Sequence, residues 1–270
     1  MIINTSLEQN PKLGFYTVND KSFFSKPQAL IEATQTGHFP HWNFNREVFS
    51  QQPWLQEPSL DLRLLYRMRA QQLRDRYDYI RLEVSGGSDS TTALYSFVLN
   101  GIHLDEVVFR YPKQGELGLA ADAKNTKPEN TLSEWEFAAK PLLQWLSIHH
   151  PTVKITFHDY SEDILQYNSD ESWTNSAKDY LHPEHTFKHD PLATDEQKKL
   201  ADSGKSICVL YGIDKPKLCI KEGRWYLYFM DIQANHANTN TQGYHNLTTE
   251  YFYWTPDLPE IIRKQAHSIK

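Results

Sequence analysis

The chain has 270 residues, of which 39% are hydrophobic and 13% aromatic, with a formal net charge of −6. That length suits one large α/β domain or a domain with an appendage, and the apolar fraction supplies a sizeable core. The acidic balance gives no electrostatic footprint for nucleic acid, although it leaves a local basic groove open, and no apolar run approaches the ~18 residues of a membrane span. The first residues, Met1-Ile2-Ile3-Asn4-Thr5, lack a charged stretch followed by an apolar one, so no secretory signal is expected. Cys208 and Cys219 are the only cysteines. They fit a reducing cytosol as core thiols rather than as a disulfide, and a cytoplasmic protein is the expectation.

Residues 1–58 read as an N-terminal appendage and residues 59–270 as the main domain. In the appendage, residues 14–24 read as a small hairpin, Gly-Phe-Tyr-Thr-Val and Ser-Phe-Phe, about an Asn19-Asp20-Lys21 turn. Residues 26–35 read as a short helix capped by Ser25, with Pro27 in its first turn. Residues 38–56 are irregular and carry Trp42, Phe44, Phe49 and Trp54. They read as a segment wrapped onto the main domain, because large aromatics bury enough area to anchor a loop; a substrate-facing role for some of these rings is the alternative. Residues 60–76 spell a strong helix, with Leu62, Leu65, Tyr66, Arg69 and Leu73 near helical spacing. Arg63, Arg67, Arg69, Arg74 and Arg76 suggest an RNA face, but Asp61, Asp75 and Asp78 dilute the charge and favour a solvated one.

The stretch Ser85-Gly86-Gly87-Ser88-Asp89-Ser90 organises everything around it. The β-forming run Tyr79-Ile80-Arg81-Leu82-Glu83-Val84 precedes it, and an apolar helical run from Thr91 to Leu99 follows, closed by Asn100-Gly101. A strand, a glycine turn and a helix N-terminus make a phosphate cradle, because the first-turn N–H groups and the positive end of the helix dipole point at an anion. Gly86 and Gly87 allow close backbone approach, and Ser85, Ser88 and Ser90 add hydroxyls. Asp89 repels phosphate directly and makes sense with Mg²⁺ between it and the phosphates.

The hexapeptide resembles the SGGxDS signature of the PP-loop ATP pyrophosphatase superfamily, whose members include the synthetase domains of asparagine, NAD and GMP synthetases, several tRNA-modifying enzymes and the phosphosulfate reductases. The match holds at all five fixed positions and extends over residues 79–110. The next strand, Asp105-Glu106-Val107-Val108-Phe109-Arg110, completes a βαβ unit and hence a parallel sheet. The resemblance implies an α/β, three-layer Rossmann-like fold of the HUP and PP-loop kind with ATP and Mg²⁺ as ligands. Ser85, Gly86, Gly87, Ser88 and Ser90 would cradle the pyrophosphate portion, and Asp89 would help hold the metal. The nucleoside would cross the carboxyl ends of the first two strands. By position that implicates Arg110 and Tyr111; the alternative is that both simply finish the strand.

Further on, Pro112 stops the strand, and residues 113–130 read as a long substrate loop or lid. Residues 131–149 read as a helix with Thr131 and Glu134 as a capping box and Pro141 kinking or dividing it. Residues 153–157 read as a third strand. Residues 162–190 are polar; His182, His185 and His189 there include a potential metal pair, with ordinary surface histidines the favoured reading. Residues 192–202 read as a helix and residues 206–211 as a fourth strand, which runs into Gly212-Ile213-Asp214-Lys215-Pro216. Lys215 at a strand's carboxyl end would reach the β- and γ-phosphates and neutralise departing pyrophosphate; the alternative is an exposed turn lysine. Residues 218–230 read as a hairpin about Glu222-Gly223, residues 235–246 as a polar loop, and residues 257–267 as a closing helix.

The resemblance implies cleavage of ATP between the α- and β-phosphates, an adenylated acceptor, and displacement of AMP by a second nucleophile. Asp89 and Lys215 are the candidate catalytic residues; Glu83, His158 and Asp159 are guesses for a base. Ile2 in place of a cysteine argues against a fused glutaminase, and the absence of CxxC argues against iron–sulfur thiolases. An AMP-forming ligase that activates a carboxylate or carbonyl oxygen of a small molecule for amide or amine formation is the leading expectation. A tRNA- or nucleobase-modifying adenylase or thiolase and a non-catalytic ATP-binding module are the alternatives, and a homodimer is left open.

Overall fold

The computed structural model describes residues 9–111, 113, 133–159, 161, 195–231 and 244–269. The readings made for the 114–130 loop, the Thr131 cap, the His182, His185 and His189 cluster, and most of the 235–246 loop lie outside the described residues.

In the appendage, Asn19 and Asp20 take φ of 44° and 65°, the left-handed region that Asn and Asp tolerate best among residues with a Cβ. They turn β1 (Phe15–Val18) into β2 (Lys21–Phe23), as expected, with Lys21 in the strand rather than the turn. α1 (Lys26–Thr36) is capped by Ser25, whose side chain accepts from the Gln28 N–H, and covers this sheet through Ala29. The segment expected to be irregular holds a third strand, β3 (His41–Asn43), antiparallel to β1, and a short helix, α2 (Arg46–Ser50). Long-range ring packing orders it: Trp42 lies 4.8 Å from Tyr16 and Phe44 lies 4.6 Å from Phe229. These rings pack onto the main domain, and the segment has more regular structure than the local sequence suggests.

The main domain is α/β. Its strands are β4 (Tyr79–Glu83), β5 (Glu106–Tyr111), β6 (Lys154–Asp159), β7 (Ile207–Tyr211), the hairpin β8 (Lys217–Lys221) and β9 (Arg224–Tyr228), and β10 (Leu247–Tyr251). Five of them form a parallel sheet in the order β6-β5-β4-β7-β10. Its helices are α3 (Leu62–Arg76), α4 (Ser88–Val98), α5 (Lys140–His149), α6 (Asp195–Asp202) and α7 (Glu260–Ile269). Strand periodicity sorts the core. Ile80, Leu82, Val107, Cys208 and Leu210 face a large core with α3, α4, α5 and α7, while Ile207 and Val209 face a smaller one with Ala201 of α6. Helices thus lie on both faces, an arrangement compatible with a three-layer Rossmann-like fold. Among the described residues no helix is long and apolar enough to cross a membrane.

The main domain departs from expectation at the start of α4 and in the number of its strands. α4 begins at Ser88 rather than Thr91, with Gly87 at its N-cap, so Ser88, Asp89 and Ser90 form the helix's first turn. A π-helical turn, Trp135–Ala139, leads directly into α5, which has Pro141 in its first turn; the expected division at Pro141 is met. The sheet also has a fifth strand, β10, which carries a buried acid. Glu250 accepts from Arg69 at 2.8 Å, from Arg76 at 3.1 Å and from the Tyr77 hydroxyl at 2.7 Å. This corrects the solvated-face reading of α3 in part: Arg63 and Arg67 are exposed, but Arg69 is fully buried, Arg74 pairs with Asp105 at 2.6 Å, and Arg76 also pairs with Asp257 at 2.8 Å.

Candidate functional site

Reading outward from β4, β5 and β6 lie to one side and β7 and β10 to the other. The connections therefore reverse direction between β4 and β7, and an open α/β sheet binds ligands at the carboxyl ends of its strands beside such a switch point. Two segments meet there. One is Ser85 to Ser90, leaving β4. The other is Gly212 to Pro216, leaving β7.

The first segment is held by its own hydroxyls. Ser90 Oγ accepts the Ser85 N–H at 3.3 Å and donates to the Gly87 carbonyl at 3.2 Å, while Ser85 Oγ accepts the Gly87 N–H at 3.3 Å. Gly86 has φ +86°, and a Cβ on it would stand 2.6 Å from the Ala139 nitrogen. The π-helical turn before α5 therefore lies directly against the loop. The first-turn N–H groups of α4 have no intrahelical partners, as at any helix start, and Ser88 and Asp89 are on its accessible side.

The second segment locks onto the first. Lys215 Nζ is 2.8 Å from Asp89 Oδ1, and the Lys215 N–H donates to Asp89 Oδ2 at 3.1 Å. Ser88 Oγ donates to Asp89 Oδ1 at 3.0 Å. A Cβ on Gly212 would lie 2.7 Å from Ser90 Cα, so only glycine lets β7's exit pass this close to the start of α4. Behind them the Tyr253 hydroxyl donates to the Asp89 carbonyl at 2.8 Å. Asp214 shares a hydrogen bond with the Asp89 carboxylate and pairs with Lys217 at 3.2 Å. Burial raises the Asp89 carboxyl, but the bonds from Lys215 and Asp214 outweigh it and hold Asp89 below its ordinary value. Burial and the bond to Asp89 push Asp214 up.

Two neighbouring carboxyl groups offer oxygen ligands that fit a hard divalent cation. Among the described residues no group of three or more His, Cys, Asp or Glu could hold a metal. A cation at Asp89 and Asp214 would therefore complete its shell with water and ligand oxygens, as Mg²⁺ does in phosphate sites.

The structure brings together Ser85, Gly86, Gly87, Ser88, Asp89, Ser90 and Lys215. Arg110 stands apart from them: its guanidinium donates to Glu83 at 3.0 and 3.4 Å. Burial raises the Glu83 carboxyl, but Arg110 and Arg81 overcome it and hold it low, so Glu83 is poorly suited as a base. Asp159 accepts from the Lys113 and Ser161 N–H groups and closes a turn; His158 stays on β6. Tyr111 ends β5 with its ring 5.2 Å from Trp135. Asp214, Gly212 and Tyr253 are additions; the Gly-x-Asp-Lys-Pro run at the end of a strand signals the first two, and nothing local signals Tyr253. No family model, no curated protein and no solved structure matches the chain.

Proposed function

We propose that this protein is an AMP-forming, ATP-dependent adenylating enzyme of the PP-loop ATP pyrophosphatase kind. It would cleave ATP between the α- and β-phosphates to activate a carboxylate or carbonyl oxygen of a small acceptor. The observation that carries this reading is the direct contact, at the switch point of a parallel sheet, between Asp89 of the Ser-Gly-Gly-Ser-Asp-Ser loop and Lys215 of the loop after β7. The first turn of α4 and the serine hydroxyls offer donors to the β- and γ-phosphates. Lys215, paired with Asp89 before nucleotide binds, supplies the mobile positive charge that meets the pyrophosphate as it departs. Asp89 and Asp214 are the residues that would hold Mg²⁺, which would offset charge between the phosphates and the carboxylates when bound. Of the five arginines of α3, Arg69, Arg74 and Arg76 are engaged in internal ion pairs and only Arg63 and Arg67 are left on the open face, a weak basic footprint that supports a small-molecule acceptor over RNA.

The test is incubation with Mg²⁺ and α-labelled ATP, with and without ammonia and a metabolite extract, and separation of products. AMP and pyrophosphate are expected, and Asp89→Asn should lower their formation by at least about a hundredfold, the scale of losing a principal electrostatic group. ADP and phosphate, or bound ATP with no turnover in any fraction, would defeat the proposal; the second outcome would leave an ATP-binding module.

A further inference from the structure

A cavity of about 680 Å³ opens between the appendage, the β8–β9 hairpin and α7, a volume within the ~300–1,000 Å³ of small-molecule sites. Trp42, Phe44, Phe49, Trp225, Phe229 and Trp254 are among the residues that line it. These rings are already mutually ordered: Phe229 and Trp254 lie 5.0 Å apart and Phe49 and Trp254 5.5 Å apart. Such walls favour a flat ring system, which gains offset-stacked or edge contacts on several sides. Trp225 is 49% exposed and Leu55, also in the wall, 96% exposed, so apolar surface faces water until something covers it.

The polar groups of the wall set the sign of the occupant. Arg46 lines the cavity and makes no ion pair or hydrogen bond among the described residues, and no lining residue is acidic. The indole nitrogens of Trp42 and Trp254 are buried away from the cavity, so these two residues offer it ring surface only. His267, the other basic group of the wall, is engaged with the Trp54 carbonyl at 3.0 Å. Among the described residues the wall thus carries one unpaired guanidinium and no carboxylate, which favours an occupant bearing a negative charge.

Two chain segments run from the cavity's lining to the candidate active site. Leu218 in its wall is three residues beyond Lys215, and Trp254 directly follows Tyr253, whose hydroxyl holds the Asp89 carbonyl. We infer that this cavity binds the acceptor substrate, and that the acceptor is a planar aromatic anion whose ring sits among these side chains with its charge on Arg46. The assignment of the occupant as acceptor rests on the adenylating reading; the binding site itself does not.

The test uses the full chain without nucleotide and three probes that share one ring system: 2-naphthoate, 2-naphthalenemethanol and 2-naphthylmethylammonium. Binding is followed by calorimetry and saturation-transfer NMR. 2-Naphthoate should bind about tenfold more tightly than the alcohol, the scale of one charge-assisted hydrogen bond, and the ammonium most weakly. Arg46→Gln, at an exposed position, should bring 2-naphthoate to the level of the alcohol while the alcohol is unchanged. Absence of saturable binding, equal affinities for the three probes, or an anion preference that survives Arg46→Gln would overturn the inference. Because ATP is absent, these outcomes are independent of pyrophosphate release. Probe binding with no adenylation of any aromatic acid would instead remove the acceptor role and, with it, this part of the proposal.

Discussion

Gly212→Ala is the sharpest probe of the junction between the two loops. Gly212 does not have a positive φ, so alanine meets no backbone strain of its own. A Cβ there would lie 2.7 Å from Ser90 Cα, 2.9 Å from Ser90 N and 3.0 Å from Asp89 C. These distances fall short of the ~3.5–4.0 Å at which carbon atoms pack, and all three atoms are backbone, with no flexible side chain to yield. The β7 exit and the first turn of α4 must therefore separate by up to about an ångström. Overpacking of this kind costs ~1–3 kcal/mol, and the loss of unfolded-state freedom returns ~0.4–1 kcal/mol. For a chain of this size a net loss of ~1–2 kcal/mol lowers Tm by about 2–8 °C. The functional effect should be larger in proportion. Lys215 reaches Asp89 at 2.8 and 3.1 Å across the same gap, and an added ångström takes both contacts beyond hydrogen-bonding range. The separated loops would no longer present Lys215 and the first-turn N–H groups of α4 to one phosphate chain, and loss of one charge-assisted contact to it, ~1.5–3 kcal/mol, predicts that Mg-ATP affinity falls at least about tenfold. Calorimetric titration and thermal unfolding measure the two effects. Gly101→Ala is the control: Gly101 has φ +67° with open space around it, so it should lose ~1–2 kcal/mol of stability and keep its nucleotide affinity. A Gly212→Ala protein with unchanged Tm and unchanged affinity would show that the two loops are not held at this separation, and the switch-point reasoning would fail.

Two further perturbations test the frame that carries the site. Glu250→Gln leaves the fully buried Arg69 guanidinium without its countercharge and should cost about 3–5 kcal/mol, seen as a lower urea midpoint with an unchanged slope; a loss under about 1 kcal/mol would mean that the network is not stabilised by charge pairing. Asp257 is raised by burial, but Arg76 and Lys12 outweigh that and hold it below its ordinary value. Its contribution to stability is thus complete above the unfolded value near ~3.9 and is lost as pH falls through the lower, folded value. Asp257→Asn should lower stability at neutral pH and flatten the acid limb of the profile, and parallel profiles for the two proteins in denaturant titrations would contradict the sign.

How far the sequence could be read follows from the range of the interactions involved. The β4–loop–α4–β5 unit was legible because its signals are local: β-formers, then two glycines, then an apolar helical run. Lys215 was legible for the same reason, as the polar end of an apolar strand. Arg110 was placed at the end of the right strand, but its partner depends on register: Glu83 pairs opposite Val108, two residues from Arg110 on the same face, and that neighbour is invisible along the chain. β10 escaped notice because Glu250 breaks its apolar pattern. Its burial is permitted by Arg69, 181 positions earlier, and the same pair disguised α3 as a solvated basic helix. The residues that sequence reading missed at the site share this property. Asp214 and Tyr253 meet Asp89 only because parallel strand order places the ends of β7 and β10 beside the start of α4. The aromatic run of the appendage behaves in the same way: Trp42, Phe44, Phe49 and Trp54 were read as anchors, and they do anchor, yet together with a distant hairpin they also enclose a cavity. The two roles are physically compatible, since rings ordered by packing on one side offer rigid faces to an occupant on the other. Anchoring residues that pre-form a pocket spare an occupant the entropy of ordering its walls.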